Sequence, residues 1–415
     1  MSIKIVTIVT ALLLLTWGAC TGERIAQADE PYNLGVALGL TGPGSLYSND
    51  GLAAITLAVE EINAQGGFLG KHKIELFVKD TKTEAQEAKR VVNELVKEKV
   101  RTVLGTYSSD TALAIKPICR EHKVLHIAAI SNSEDITMKD FSPYTFSVVP
   151  NSYMQSKAVA LGVSKLAKEK NWITYCTIAS DYSWGRSSQL NLVEFLKKDA
   201  PRLKLVRDFW PPLGEKRFGG FIRTAWNYRP DCLIGFLASN DNVEWLRQAG
   251  AEDLFRKIPY HGSLLSVSEL TTEARTVPRG VIALARAPFF AHLDVPMMTR
   301  FMKSFQEKHK RYPSDWAVLE YDAVYALKQA VEKAKSVDTE AVKDAMKGMT
   351  IETCRGKLKF REIDNQLGCS SYIGVVSDDP KYHFPIFSPL WEIKGPDSMR
   401  PEKEILEARG AGKKP

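Results

Sequence analysis

From Tyr32 onward, apolar positions along the chain alternate between two periods. Positions 33–40 form a short continuous apolar run, as a strand buried on both faces requires. Positions 50–64 then place Leu52, Ile55, Ala58, Val59 and Ile62 on one helical face, and Gly66-Gly67 ends the pattern. A strand is predicted over 74–78, an amphipathic helix over 85–96, a short strand over 102–104, a helix after Ser109 and a strand over 124–129. Strands that alternate with helices in this way pair in parallel, because each helix carries the chain back to the same end of the sheet.

The same order restarts after Pro150, with a helix from Ser152, strands over 172–178, 203–209 and 233–237, and helices from Gly185, over 218–228 and over 242–249. A strand over 281–285 and helices over 297–309 and 316–333 do not complete a third unit and are expected to return to the first. The predicted fold class is therefore α/β, two doubly wound Rossmann-like lobes joined by a multi-strand hinge. The expected division is 29–149 plus 277–353 for the N-terminal lobe and 150–276 plus 354–395 for the C-terminal lobe. The charged tail from Pro396 to Pro415 bears Gly and Pro and is expected to be poorly ordered.

The start of the chain follows a different pattern. Lys4 precedes an apolar run from Ile5 to Leu15, long enough for the core of an export signal and short of the roughly 20 residues that span a bilayer. Ala26-Gln27-Ala28 offers a signal-peptidase site, and residues 1–28 are read as a signal peptide. Gly18-Ala19-Cys20 offers a competing lipid-anchor site, although Trp17 is bulky for one. The expected location is the periplasm, free or held by lipid at Cys20. The chain has 56 Lys and Arg against 49 Asp and Glu, and its formal charge of +7 is spread along its length. No basic block suggests nucleic acid as a partner.

Five cysteines follow Cys20, an odd number, so at least one must stay free where disulfides form. Cys354 and Cys369 flank a turn-rich stretch and are the expected disulfide, a closure worth about 3 kcal/mol. Cys176 and Cys232 lie in apolar strands and read as core thiols, with Cys119 the remaining one.

Several apparent motifs fail on spacing. The glycines of 39–44 lack the G-x-G-x-x-G interval, and 66–71 resembles a phosphate loop only until His72 replaces the required Ser or Thr. His122 and His126 are four apart, but the residues between them read as the start of a strand. No metal, no cofactor and no catalytic centre is expected. A periplasmic hydrolase is kept only as a distant alternative, since triads assemble from scattered residues.

Ala58-Val59-Glu60-Glu61-Ile62-Asn63-Ala64-Gln65-Gly66-Gly67, together with Thr41-Gly42-Pro43-Gly44, Asp181-Tyr182-Ser183-Trp184-Gly185 and Leu246-Arg247-Gln248-Ala249-Gly250, resembles the periplasmic binding proteins of the leucine/isoleucine/valine type. The resemblance runs from Tyr32 to about Lys394. It implies a type I bilobed binding protein that closes over a small solute and delivers it to an ABC importer's permease in the inner membrane. A sensor that presents its closed form to a membrane receptor is the alternative.

Carried over residue by residue, the resemblance places Ser109 at the serine that holds a ligand carboxylate. Ser108, Ser109 or Asp110 could equally cap the helix that starts there. Ile130-Ser131-Asn132 falls at the second ligand-touching turn, Tyr47 at an aromatic beside the ligand, and Trp184 at a closing wall, with Tyr182 and Trp210 as weaker candidates. Two departures stand out. The acid that pairs with an amino acid's ammonium is replaced by Leu264, and a nearby tyrosine by Ala238. Because a buried ammonium without a carboxylate is costly, the expected ligand is a carboxylate with an aromatic or aliphatic body, or a small amide. An ordinary amino acid is expected only if Asp241 or Glu269 substitutes.

Overall fold

The computed structural model describes residues 30–411, so the expected signal peptide and the Cys20 anchor site lie outside the described residues. The first unit runs β1 (Tyr32–Leu38), α1 (Ser45–Ala64), β2 (Ile74–Asp80), α2 (Ala85–Lys97), β3 (Thr102–Gly105), α3 (Ser109–Glu121), β4 (Leu125–Ala128) and β5 (Thr145–Ser147). Its strands form one parallel sheet in the order β2-β1-β3-β4-β5. Strand β1 is interior, between β2 and β3, and apolar because helices cover both faces of the sheet. His122 ends α3 and His126 lies within β4, where its ring bonds the Gly105 carbonyl at 2.8 Å.

The chain then crosses into a second unit: α4 (Ser152–Lys170), β6 (Thr174–Ala179), α5 (Ser183–Asp199), β7 (Lys204–Phe209), α6 (Gly219–Tyr228), β8 (Cys232–Phe236), α7 (Ser239–Ala251), α8 (Leu254–Lys257), β9 (Tyr260–His261), α9 (Val267–Thr272) and β10 (Ile282–Ala285). Strands β7-β6-β8-β9 are parallel. The remaining elements are α10 (Pro296–His309), α11 (Asp315–Ala334), α12 (Thr339–Met346), β11 (Thr350–Thr353), β12 (Gly356–Lys359), β13 (Ser371–Ser377), β14 (Ile386–Ile393), α13 (Gly395–Ser398) and α14 (Glu402–Ala411).

Helix α11 returns to the first lobe, as expected, and packs on α1, where Tyr321 and Tyr325 both donate to Glu61. Strand β10 does not return with it. It pairs antiparallel with β13, which pairs with β14, and Leu264 bridges to Leu284 beyond the end of β9. An isolated apolar strand carries no mark of the sheet it joins; here the free edge beyond β9 claimed it. Residues 354–367, expected in the second lobe, sit with the first, since Ser147 bridges to Gln366 and Phe360 packs edge-on against Phe146.

Two further expectations are corrected. Cys354 and Cys369 are both buried and free, as are Cys119, Cys176 and Cys232. The pair instead flanks a buried ion pair: Asp322 accepts from the Cys354 N–H and from Arg355, and the Cys369 thiol faces Arg355. The tail from Pro396 does not trail loose but forms α14 and docks. Arg400 bonds Glu134 and Asn191, and Arg409 donates to the carbonyls of Thr137, Met138 and Ile363. Charges that read as solvated in sequence are here saturated by docking.

Candidate functional site

In parallel sheets the carboxyl ends of the strands face a crevice, and four of them meet between the lobes, joined there by the end of β10. Strand β3 delivers Tyr107, Ser108 and Ser109, and β4 delivers Ile130, Ser131 and Asn132. From the other side β6 delivers Tyr182 and Trp184, β8 delivers Ala238 and Ser239, and β10 ends directly on Arg286. The lobes touch here: Tyr47 of α1 donates to Glu269 of α9, Asn240 donates to the Gly42 carbonyl at 3.3 Å, and Ser183 donates to Asp110.

Arg286 is the centre of this cluster. It is only 2% exposed, and its guanidinium lies between two indole faces, 4.6 Å from the centroid of Trp316 and 5.4 Å from that of Trp184. One nitrogen donates to the Ile130 carbonyl at 3.0 Å, whereas Nε has no partner. Among the described residues no carboxylate forms a salt bridge with it. Asp315, the nearest acid, spends one oxygen on the backbone N–H groups of Arg286 and Ala287. Burial lowers the Arg286 pKa to about 10, which leaves it charged at neutral pH. A desolvated cation with free donor capacity is a site for an anion.

Two acids stand beside the same cluster, near Tyr47 and Tyr107. Glu269 accepts from Tyr47 and from the backbone N–H of Ser266, which it also caps through the side chain. Asp241 accepts from the Gly214 N–H at 3.0 Å and from Ser180. Burial raises both to about 7, and neither has a cation partner among the described residues. Burial likewise raises the hydroxyls of Tyr47, Tyr107 and Tyr182, so all three stay protonated donors.

Comparison with known proteins gives the family. The model of the family described as "Periplasmic binding protein" matches residues 31–381. The chain belongs to that family. The Leu/Ile/Val-binding protein BraC3 of Rhizobium johnstonii is 30% identical over 341 residues, covering 81% of this chain and 89% of the relative. Among solved structures, a solute-binding protein of an ABC transporter from Rhodopseudomonas palustris BisB5, in complex with 3,4-dihydroxybenzoic acid, superposes with a TM-score of 0.77 at 21% identity. That match covers 90% of this chain and 99% of the other. Another from R. palustris, in complex with benzoate, gives 0.75 at 19% identity and covers 88% and 97%. By family, then, this chain is a periplasmic binding protein, a class that holds solutes and does not turn them over. No helix among the described residues is long and apolar enough to cross a membrane.

Within the binding protein, the residues singled out from sequence separate into two groups. Tyr47, Tyr182 and Trp184 lie in the Arg286 cluster; Tyr47 stacks on Trp316 at 3.8 Å between centroids. Ser131 is buried there with a partnerless hydroxyl, and Ile130 contributes its carbonyl. Ser109 and Asn132 instead brace the scaffold. The Ser109 hydroxyl accepts from the N–H groups of Asn132 and Ser133, and the Asn132 amide holds the Pro150 carbonyl at the crossing. Ser108 is the N-cap of α3, taking the Thr111 N–H. Ala238 precedes α7, and Leu264 is buried with its carbonyl bound by Asn242. Trp210 stands outside the cluster, stacked under Arg186 at 4.4 Å. The reading missed Arg286, Tyr107, Trp316 and Ser239. Arg286 had a signal: it follows the last apolar residue of a predicted strand, at the end where such folds bind ligands.

Proposed function

We propose that this protein binds a small carboxylate with an aromatic or aliphatic body between its lobes and passes it to an ABC permease. On this reading it descends from the leucine/isoleucine/valine branch but has lost that branch's ligand. The observation that carries the proposal is the buried, unpaired Arg286 guanidinium framed by Trp184 and Trp316. A ligand carboxylate would supply the missing anion, and the aromatic walls would cover its body. The aromatic acids bound by the two R. palustris structures support the same class. The lobes would close by hinge rotation about the crossings near Pro150, Arg286 and Gly368.

An α-amino acid is the second reading, favoured by Asp241 and Glu269 beside the cluster and by the relative's name. A thermal-shift screen of unfolded and refolded protein separates the two, using benzoate, 4-hydroxybenzoate, isovalerate, benzamide and leucine. A ligand at 100 times its dissociation constant adds about 2.7 kcal/mol. Stabilisation by carboxylates without leucine is the expected result; stabilisation by leucine alone overturns the proposal.

A further inference from the structure

Arg286 is not the only polar group in the cleft left without a partner. Tyr107 follows β3 in the first lobe, is 3% exposed, and its hydroxyl makes no hydrogen bond of ordinary geometry, facing only the hydroxyls of Ser239 and Tyr182. Ser239 opens α7 in the second lobe, is fully buried, and its hydroxyl is also unpartnered. The two hydroxyls lie side by side, and the Ser239 N–H faces the Tyr47 hydroxyl. Tyr47, Tyr107 and Tyr182 all stand within electrostatic reach of the Arg286 guanidinium.

The start of α7 is itself unusual. The 13-residue helix has Ala238 at its N-cap, which cannot cap it; the one acid of its first turn, Asp241, is turned to Gly214 and Ser180, and Ser239 holds φ +56°. That region favours glycine, and a non-glycine residue kept there at a cost points to a use for its side chain. A free N-terminal turn carries partial positive charge and favours an anion. Serine would be a good cap at position 238; at 239, turned by its positive φ, its hydroxyl is left for something else.

We propose that the hydroxyls of Tyr107 and Ser239, with the free first turn of α7, complete the anion site begun by Arg286, so that one carboxylate is gripped by both lobes at once and its binding closes them. This rests on the carboxylate reading above and adds where the charge sits. The anion lies across the cleft from first lobe to second, instead of on the first-lobe serine that the family resemblance implied. Ser109 spends its acceptor capacity on Asn132 and Ser133, in keeping with that shift. The body of the solute would then select among carboxylates, while the head group drives closure.

The test uses Y107F, which removes one oxygen, and S239G, which keeps the backbone geometry that φ +56° demands. Refolded wild type, both variants, their double and R286M are titrated with benzoate and isovalerate, and closure is followed by small-angle scattering. Thermal melts establish that each variant folds. Each hydroxyl variant is expected to weaken binding about tenfold, the typical worth of a hydrogen bond to a charged group, and the double variant to stay partly open at probe concentrations that close the wild type. Affinities within twofold of wild type in both variants, with binding lost in R286M, overturn this proposal and leave the functional reading standing. If wild type binds neither probe, or R286M binds as wild type does, both fall together.

Discussion

Arg286 owes its character to position. A guanidinium at the end of a buried strand cannot reach bulk water, and the structure gives it indole faces and one carbonyl in place of a counter-ion. R286M should therefore fold and lose carboxylate binding by about 30-fold or more, as removal of one partner of a buried charge pair costs at least 2 kcal/mol; calorimetric titration measures it directly. The two acids beside the cluster add a pH signature. Asp241 and Glu269 have folded pKa values raised to about 7 from 3.8 and 4.5. Below pH 6 both are protonated and the cleft carries only the charge of Arg286. Above pH 8 both are ionised and oppose an anion. Affinity for benzoate should fall as pH rises through 7, whereas an amino acid whose ammonium needed those acids would bind more tightly over the same range. The charge inventory of the cleft was the least legible feature in sequence. A missing acid at Leu264 could be seen by analogy, but whether an arginine is solvated or buried depends on which sheet its strand joins, and β10 was assigned to the wrong lobe.

Elements were more legible than the contacts between them. Helices α2 and α10 fell within a residue or two of expectation because a buried stripe leaves a clear period, and α11 did so although its first half is buried all round. The two-residue β9 and the six-residue α9 were missed because so few residues carry no period, and with α9 went the capping role of Glu269. The turn that carries Tyr182 and Trp184 has a strict requirement. A Cβ on Gly185 would stand 2.0 Å from the Ser180 carbonyl oxygen, so G185A must push α5 away from the end of β6. A loss of about 3 kcal/mol or more in denaturant unfolding is expected; an unchanged midpoint would mean that this turn is looser than its geometry.

Helix α11 also buries Glu320 completely against Gly51 of α1, with neither carboxyl oxygen partnered. Burial raises its pKa to about 8 from 4.5. A raised acid favours the fold while protonated, so its contribution is full below pH 4.5 and is lost as pH rises through 8. E320M should melt higher than wild type at pH 8 and show a flatter loss of stability with pH; an unaltered pH slope would contradict this.

At the scale of the molecule, the two-lobed plan was readable from the repeated alternation of strands and helices, but the final segment was not. Composition suggested a loose tail from Pro396, yet Arg400 joins Glu134 beside the first sheet to Asn191 on α5 and stacks 4.1 Å over Tyr153 on α4, so the tail ties both lobes near the crossing. A tie across both lobes shifts the equilibrium between closed and open forms without touching the solute. R400A should therefore bind benzoate several-fold more weakly and scatter as a more open particle before ligand is added; wild-type values for both would show that the tail is only packed in place. The central claim, a carboxylate held by Arg286, is tested most directly by the crystal structure of the refolded protein with the screened solute that stabilises it most. The account predicts a carboxylate within hydrogen-bond distance of the Arg286 guanidinium, between Trp184 and Trp316. An ammonium seated on Glu269 or Asp241, with Arg286 facing no ligand oxygen, would contradict it.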